Sequence, residues 1–231
     1  MKIDSVVDHT KQYLERLIIT GELFSGQQIK EEEIASRLEI SRPPIREAFK
    51  ILESEGLITR KPRRGVFVSE MREKDIWEVY TLQVALYGLA TSLAIDNITE
   101  EGIGRLEMVI RLMEKCVEKE PPDLIEYQDL NETFHLMIID IAGHGRLKKI
   151  TTTLNNQVRR VSYRSFGDKR HLLSSYQNHQ RILKAIRNRD KELAEKITRE
   201  HILDGMKILQ EKFRTQTQEE LEVDKSKFVT I

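Results

Sequence analysis

Apolar residues recur every three or four positions over most of the chain, which is the spacing of helices that bury one face. The first such run, Val7 to Ile18, stops at Gly21 and predicts a helix. A second run, Lys30 to Glu39, carries acidic residues in its first turn, where the helix dipole favours negative charge. A third begins after Ser41 and ends at Gly56. Three short helices are therefore predicted in succession.

The start of the third helix has its own signal. Ser41 is predicted as the N-cap, because its hydroxyl can accept a hydrogen bond from a first-turn amide. The dipeptide Pro43-Pro44 falls where a helix has no internal donor to lose. Strand-like segments at 57–60 and 65–68 follow, on either side of a basic loop. Three helices and a hairpin predict a winged helix-turn-helix over residues 1–70.

From about Asp75 the pattern changes to long amphipathic helices, so a second domain is predicted over residues 75–214. Its first helix carries an apolar stripe of Val79, Leu82, Leu86, Leu89 and Leu93. Further helices are predicted at 99–118, 123–142, 146–166, 171–188 and 191–213. The polar tail 215–231 lacks periodicity and is predicted to be flexible. The expected fold class is mostly α, a winged helix-turn-helix followed by an all-α antiparallel bundle.

Composition narrows the possible partners. Among the 231 residues, Lys+Arg and Asp+Glu both number 38, so a nucleic-acid contact has to come from a local patch. The single cysteine, Cys116, excludes an internal disulfide framework. No segment resembles a signal peptide or supplies the ~20 apolar residues that span a bilayer. These features predict a cytoplasmic protein without membrane contact.

The local patch lies in the third helix and the hairpin. Between Ser41 and Val68, seven Lys and Arg stand against three Glu. Arg42, Arg46 and Lys50 are spaced four residues apart on the third helix, and its apolar stripe lies beside them. That stripe consists of Ile45, Ala48, Phe49 and Leu52. Because arginine can bind guanine bidentately in the major groove, the pattern favours a DNA-reading helix over a merely solvated helix face.

The hairpin loop extends this basic surface. Arg63 and Arg64 precede Gly65, which is predicted as the wing tip that approaches phosphates or the minor groove. The segments that carry a family resemblance are Gly21–Gly26, Glu33–Ala48, Glu55–Ile58 and Gly65–Val68. Together they resemble the GntR family of bacterial transcription regulators over residues 5 to 69. The resemblance implies that Arg42 and Arg46 read bases and that Ser41 and the nearby backbone hold phosphate.

Three histidines fall on different predicted helices of the second domain. They are His135, His179 and His201, and Asn131 lies four residues before His135 on the same helical face. Imidazoles brought together in a bundle core can ligate a divalent metal, with an oxygen ligand beside them. Spacing alone leaves the alternative open that these are buried histidines satisfied by ordinary hydrogen bonds.

The second domain has a resemblance of its own. Asn131–His135, Ala142-Gly143, His179–Ile182 and His201 are similar to the FCD effector domain of FadR-type GntR regulators, over residues 75 to 213. The resemblance implies that Asn131 and the three histidines hold a divalent metal, with zinc favoured over nickel or manganese. It also implies a small-molecule effector, a carboxylate in many members, that completes the coordination.

This chain departs from that pattern on the first bundle helix. Gln83 and Tyr87 stand where the family usually has Arg and Glu, which puts a carboxylate effector in doubt. Both residues are still assigned to the effector pocket. Arg159 is a candidate for a replacement anion contact, although a solvated helix face is the more common explanation for such a residue.

Three functions follow from these patterns. The preferred one is a homodimeric repressor, not an enzyme, in which effector binding changes affinity for a palindromic double-stranded operator. The second is a metal-dependent enzyme that uses the Asn/His cluster, although Glu132 points about 100° away from Asn131 and leaves no evident general base. The third is a protein-interaction module built on the winged helix.

Overall fold

A computed structural model describes the backbone of residues 5–228, with the side chains of these residues except 160 and 216–228. The described chain forms two compact units. The first runs to Arg72 and also includes Thr153–Val161. The second consists of Glu73–Thr152 together with the residues from Ser162 onward.

Within its described residues, the first unit contains three complete helices and a three-stranded antiparallel sheet. It also includes the segment Thr153–Val161, which belongs to a helix of the second half of the chain. The bounds are α1 Val6–Thr20, β1 Gln28–Ile29, α2 Glu31–Leu38, α3 Arg42–Ser54, β2 Ile58–Lys61 and β3 Gly65–Val68. A capping box starts α1: the Ser5 hydroxyl accepts from the Asp8 amide, and the Asp8 carboxylate accepts from the Ser5 amide. α1 ends at Gly21, whose φ of 82° suits a residue without a Cβ.

The core of the first unit is built around α3. Its predicted apolar stripe is confirmed, because every member of that stripe is fully buried. The core cluster comprises Leu14, Ile18, Ile29, Ile34, Ile45, Phe49, Leu52, Leu57, Ile58, Val66 and Val68. Residues from all three helices and all three strands therefore hold α3 in place, and its opposite side is left to solvent.

The sheet has the strand order β1-β3-β2, with β3 in the centre. In the hairpin, Lys61 pairs with Gly65 and Ile58 with Val68. The predicted pair of strands is confirmed, whereas β1 was not predicted. A two-residue strand shows no periodicity, so only its pairing with β3 reveals it.

The second unit is helical throughout its regular structure within residues 73–228. Its helices are α4 Glu73–Asn97, α5 Glu100–Glu118, α6 Leu124–Ile141, α7 Gly145–Ser165, α8 Lys169–Arg187 and α9 Lys191–Phe228, with the centre of α7 assigned to the first unit. The predicted breaks near 121, 144 and 189 all lie between helices. This architecture confirms the predicted fold class. In the described helices, no segment combines the length and apolarity needed to cross a membrane.

Two features of the second unit differ from the sequence pattern. α9 continues to Phe228, beyond the predicted end at 213, so most of the predicted tail is helical and residues 229–231 lie outside the described range. On α4, the predicted apolar stripe is only partly buried: Val79 is buried, and Leu86 and Leu93 are half-buried. Leu82 is 52% exposed and Leu89 43% exposed, whereas Gln83 and Tyr87 are buried.

Candidate nucleic-acid interface and metal centre

The predicted reading residues lie on the exposed side of α3. Arg42, Arg46 and Lys50 are all exposed, and the core side of the same helix is fully buried. Because the core fixes the helix, the three cations point away from the protein and can reach a partner. This is the arrangement that a recognition helix requires.

Ser41 is the N-cap of α3, but the predicted capping hydrogen bond is wrong. Its side chain makes no cap hydrogen bond. The reason is the dipeptide Pro43-Pro44, which occupies the second and third helical positions. A capping hydroxyl accepts from the amides of those positions, and proline has none. The Ser41 hydroxyl is therefore available to another partner.

Each cation of the reading surface has a carboxylate neighbour. Arg42 Nη1 lies 3.1 Å from Glu32 Oε1, and Arg46 Nε lies 2.8 Å from Glu31 Oε2. Lys50 Nζ lies 2.8 Å from Glu47 Oε1. The pairs of Arg42 and Lys50 are exposed on both sides and contribute about 0–1 kcal/mol, so a DNA partner can replace them at little cost. The Glu31 side chain that pairs with Arg46 is only 21% exposed.

The wing is held in shape by Gln28, which the sequence patterns did not single out. Gln28 Nε2 donates to the Arg64 carbonyl oxygen at 2.8 Å. Gly65 has a φ of 104°, and a Cβ there would lie 2.8 Å from Gln28 Nε2. The positive φ therefore favours glycine at 65 whether or not DNA approaches it. The guanidinium groups of Arg63 and Arg64 are exposed, and neither has an ion pair among the described residues.

The structure brings the three predicted histidines together. His135 on α6, His179 on α8 and His201 on α9 are buried, and one ligand atom from each lies within 4.8 Å of the others. The Nε2 atoms of His135 and His201 are 3.2 Å apart. That separation suits a hydrogen bond between neutral rings, and it also matches the ~3.3 Å between two nitrogen ligands of a tetrahedral zinc ion.

Hydrogen bonding favours the metal interpretation over ordinary buried histidines. His179 Nδ1 lies 2.7 Å from the Ser175 carbonyl oxygen, which can only accept, so Nδ1 carries the proton and Nε2 keeps its lone pair. Both His179 Nε2 and His201 Nδ1 are buried without a hydrogen-bond partner among the described residues. His179 is thus held through one nitrogen with the other bare, which is the usual arrangement of a histidine that binds a metal ion.

Burial also keeps the three rings neutral. It lowers the pKa of His179 to about 4, and it lowers the pKa of His135 and of His201 well below the ordinary value of 6.5. The main cause is loss of hydration of the charged form, and neighbouring imidazoles add to the effect at His135 and His201. Neutral imidazole is the form that ligates a metal.

An oxygen ligand is available on α6. Asn131 Oδ1 is buried and has no partner among the described atoms, as the predicted metal ligand requires. Gln128 Oε1 is buried in the same unpartnered state, three residues earlier on the same face. Gln128 was not predicted, because an isolated glutamine gives no spacing signal. The donor set of imidazole nitrogens and amide oxygen suits a borderline divalent cation such as zinc.

The predicted effector residues fall in two places. Gln83 and Tyr87 are buried on α4, and the Tyr87 ring stacks on His135 with ring centroids 5.1 Å apart. Arg159 lies on α7 and forms an ion pair with Glu15 of α1. Tyr87 is thus beside the histidine cluster, whereas Arg159 is engaged by a carboxylate.

The comparisons with known families cover both units. Residues 7–68 match the model of the bacterial regulatory proteins of the gntR family, and residues 78–204 match the FCD domain. The chain belongs to the GntR family of bacterial transcription regulators. The family resemblance stated from the sequence is therefore confirmed. GntR proteins are DNA-binding transcription regulators rather than enzymes, which confirms the prediction that this chain is not an enzyme.

Named relatives agree with this family. An uncharacterised HTH-type transcriptional regulator of Bacillus subtilis is 28% identical over 205 residues, which cover 87% of this chain and 89% of the relative. The gluconate operon transcriptional repressor of Bacillus licheniformis is 28% identical, over 76% of this chain and 73% of the relative. Among solved structures, E. coli McbR/YncC is similar with a TM-score of 0.78 and 20% identity, covering 91% of this chain and all of that one, which supports the fold.

Proposed function

We propose that this GntR regulator is a dimeric, effector-responsive repressor that binds a two-fold DNA operator. It would sense its effector at a metal in the second unit, which contains the FCD match and is called the FCD unit below. The observation that carries the sensing role is the buried cluster of His135, His179 and His201, with its unpartnered nitrogen atoms. Unpartnered polar atoms inside a core cost about 1–3 kcal/mol each, so a cluster of them is retained for a ligand.

In this proposal the operator is read by α3 and the wing. Arg42 and Arg46 contact base edges in the major groove, while Ser41, Lys50 and the wing at Arg63, Arg64 and Gly65 hold the phosphate backbone. The exposure of these side chains supports the assignment. So does the Ser41 hydroxyl, which is not used as a cap.

The metal would be held by Asn131, His135, His179 and His201. Zinc is the preferred ion, because imidazole ligands suit it. Nickel, which imidazole also suits, and manganese, which prefers oxygen ligands such as the amide of Asn131, are the alternatives. When bound, the metal supplies a Lewis-acidic position for an oxygen or nitrogen atom of a small-molecule effector. Gln83 and Tyr87 would line the effector position. With no charge on either, a carboxylate effector would be bound chiefly through the metal.

A second copy of the chain would cover the exposed stripe of α4. Leu82, Leu86 and Leu89 recur at spacings of four and three. Leu82, Ala85 and Leu89 are exposed, and Leu86 is half-buried. An apolar stripe of this spacing on a helix surface fits a partner helix. The two-fold axis of such a dimer would match a palindromic operator, since paired half-sites require paired reading helices.

Repression is proposed because the similar Bacillus licheniformis protein is named a repressor of the gluconate operon. A cytoplasmic location is proposed as well, because a bacterial transcription regulator meets its operator in the cytoplasm. Arg159 would have to leave Glu15 in order to contact an effector. Its ion pair with Glu15 favours a structural role.

The sensing proposal is tested by measuring operator affinity at controlled metal occupancy. An operator is first selected from a random duplex library with the full-length protein. We expect zinc and a chelator to give different affinities for the wild type, whereas the His135→Ala and His201→Ala variants respond to neither. The matched control is His144→Asn, which changes an exposed histidine that caps α7 and keeps a capping side chain. Identical wild-type affinities with zinc and with chelator would remove the sensing half of the proposal.

A further inference from the structure

The two reading arginines are held by carboxylates in different ways. Glu31 Oε2 accepts a hydrogen bond from Arg46 Nε at 2.8 Å. Arg46 Nη1 and Nη2 form no hydrogen bond among the described residues. Arg42 is paired instead through Nη1, 3.1 Å from Glu32 Oε1. A bidentate contact to guanine needs two N–H groups along one edge of the guanidinium. The terminal edge of Arg46 is thus free for such a contact, while that of Arg42 is partly occupied.

The two carboxylates also differ in how firmly they are placed. The Glu31 side chain is only 21% exposed, whereas that of Glu32 is 61% exposed. Both lie in the first turn of α2, where the helix dipole stabilises negative charge, but Glu31 in addition is partly enclosed. A half-buried carboxylate with one clear partner restricts that partner to few rotamers. An exposed pair such as Arg42 with Glu32 restricts little.

We propose that Glu31 is a positioning residue, which orients Arg46 for base reading, whereas Glu32 competes with DNA for Arg42. This inference rests on the proposed role of Arg46 in reading a base. Holding the side chain in advance removes part of the rotamer entropy that binding would otherwise cost. The hydrogen bond to Nε also fixes the plane of the guanidinium, and with it the direction of the two terminal N–H groups.

Simple electrostatics gives the opposite expectation for Glu31. A carboxylate near the DNA-facing surface repels phosphates, so its removal should strengthen binding to every duplex, specific or not. Positioning predicts instead that removal of Glu31 weakens binding to the operator. The two explanations therefore differ in the sign of the effect, and Glu32 provides the neighbouring control in which repulsion alone is expected.

The experiment measures affinities of full-length variants for the selected operator and for an unrelated duplex at the same salt concentration. We expect Glu31→Ala to weaken operator binding about five- to tenfold. A loss of this size is typical of the coupling between two residues in one hydrogen-bond network. Binding of Glu31→Ala to the unrelated duplex should be unchanged or stronger. Glu31→Gln keeps an acceptor oxygen and should retain more operator affinity than Glu31→Ala. Glu32→Ala should bind both duplexes with equal or higher affinity.

A double-mutant cycle shows whether Glu31 acts through Arg46. In the Arg46→Ala background, Glu31→Ala should cause no further loss of operator affinity. An operator carrying 7-deazaguanine, which lacks the N7 acceptor, should likewise remove the difference between wild type and Glu31→Ala. If Glu31→Ala behaves like Glu32→Ala while Arg46→Ala weakens binding, the positioning role is wrong and base reading stands. If Arg46→Ala itself has no effect, the proposed base reading fails. Should Glu31→Ala not fold, Glu31→Gln provides the same comparison in the cycle.

Discussion

The reading surface of α3 and the histidine cluster of the FCD unit use polar groups in opposite ways. On α3 the charged groups are exposed and already paired with carboxylates, at 2.8 to 3.1 Å. In the cluster the imidazoles are uncharged and buried, and His179 Nε2 and His201 Nδ1 have no hydrogen-bond partner among the described residues. The pairs of Arg42 and Lys50, exposed on both sides, are weak and exchangeable, which suits a surface that meets many DNA sequences. Buried polar atoms without partners reduce the stability of the fold, which suits a site that binds one specific ligand.

The largest effect is expected at the α4 stripe, because binding of a two-fold operator requires a dimer in the proposed function. We expect Leu82→Glu combined with Leu89→Glu to give a monomer, measured by analytical ultracentrifugation. Operator affinity should fall about 10²- to 10⁴-fold, since the second half-site no longer adds to the first. Leu173→Glu, at a leucine of α8 that is 39% exposed, is the control and should stay dimeric. A dimeric double variant would place the interface elsewhere.

Acid should destabilise the metal-free protein through the histidine cluster. Above pH 6.5 His179 is neutral in both the folded and unfolded states, so its depressed pKa costs nothing there. Below pH 6.5 the unfolded chain binds a proton that the folded chain refuses, because the folded pKa is about 4. His179 alone should remove about 2 kcal/mol of stability between pH 7.5 and pH 5.

The measurement is urea unfolding of chelator-treated protein at the two pH values, and His179→Leu should lose less stability than wild type over the same interval. An equal loss of unfolding free energy between the two pH values in wild type and variant would contradict the buried, neutral state of His179. Such a result would also remove the contrast between the two sites.

A smaller effect is expected from charge at the oxygen ligand. Asn131→Asp replaces a neutral amide by a carboxylate, and we expect it to raise zinc affinity about tenfold in a competition titration. Glu132→Gln changes the charge by one at the adjacent position, on another side of α6, and should alter zinc affinity little. Equal responses to the two substitutions would mean that Asn131 does not reach the metal.

The smallest effect concerns the wing. Arg63→Ala and Arg64→Ala should each weaken binding to specific and unrelated duplexes alike. Each should lower the slope of log affinity against log salt by about one, as expected for a lost phosphate contact. Arg105→Ala, at an exposed arginine of α5, should leave the slope unchanged. A loss of sequence specificity in the wing variants would instead indicate base reading in the minor groove.

The fold of the first unit, which carries the proposed DNA-reading helix α3, could be predicted almost entirely from the local pattern of apolar, glycine and proline residues. Periodicity gave α1, α2, α3 and the hairpin, because each element has a clear apolar side and a Gly or Pro boundary. The capping bond of Ser41 failed because two rules conflicted: a serine cap needs the amides that Pro43-Pro44 removes. Gln28 could not be foreseen, since its contact with the wing joins positions 36 residues apart.

The FCD unit was harder to read. Spacing could place the three histidines on three helices but could not show that they converge, because His135 and His201 are 66 residues apart. Family resemblance supplied that step. The α4 helix shows the limit of apolar periodicity: its leucine stripe is partly exposed, and its buried side carries Gln83 and Tyr87. A pattern of leucines marks a packed surface without telling whether the same chain or a second copy covers it.

The central claim is that the exposed side of α3 reads DNA bases through Arg46. The most direct test is the affinity of Arg46→Ala for the selected operator and for an unrelated duplex, beside Lys50→Ala. We expect Arg46→Ala to lose about tenfold to hundredfold in operator affinity, while its affinity for the unrelated duplex changes little. Lys50→Ala should weaken both by a similar factor. An Arg46→Ala protein that binds both duplexes as the wild type does would contradict base reading by Arg46.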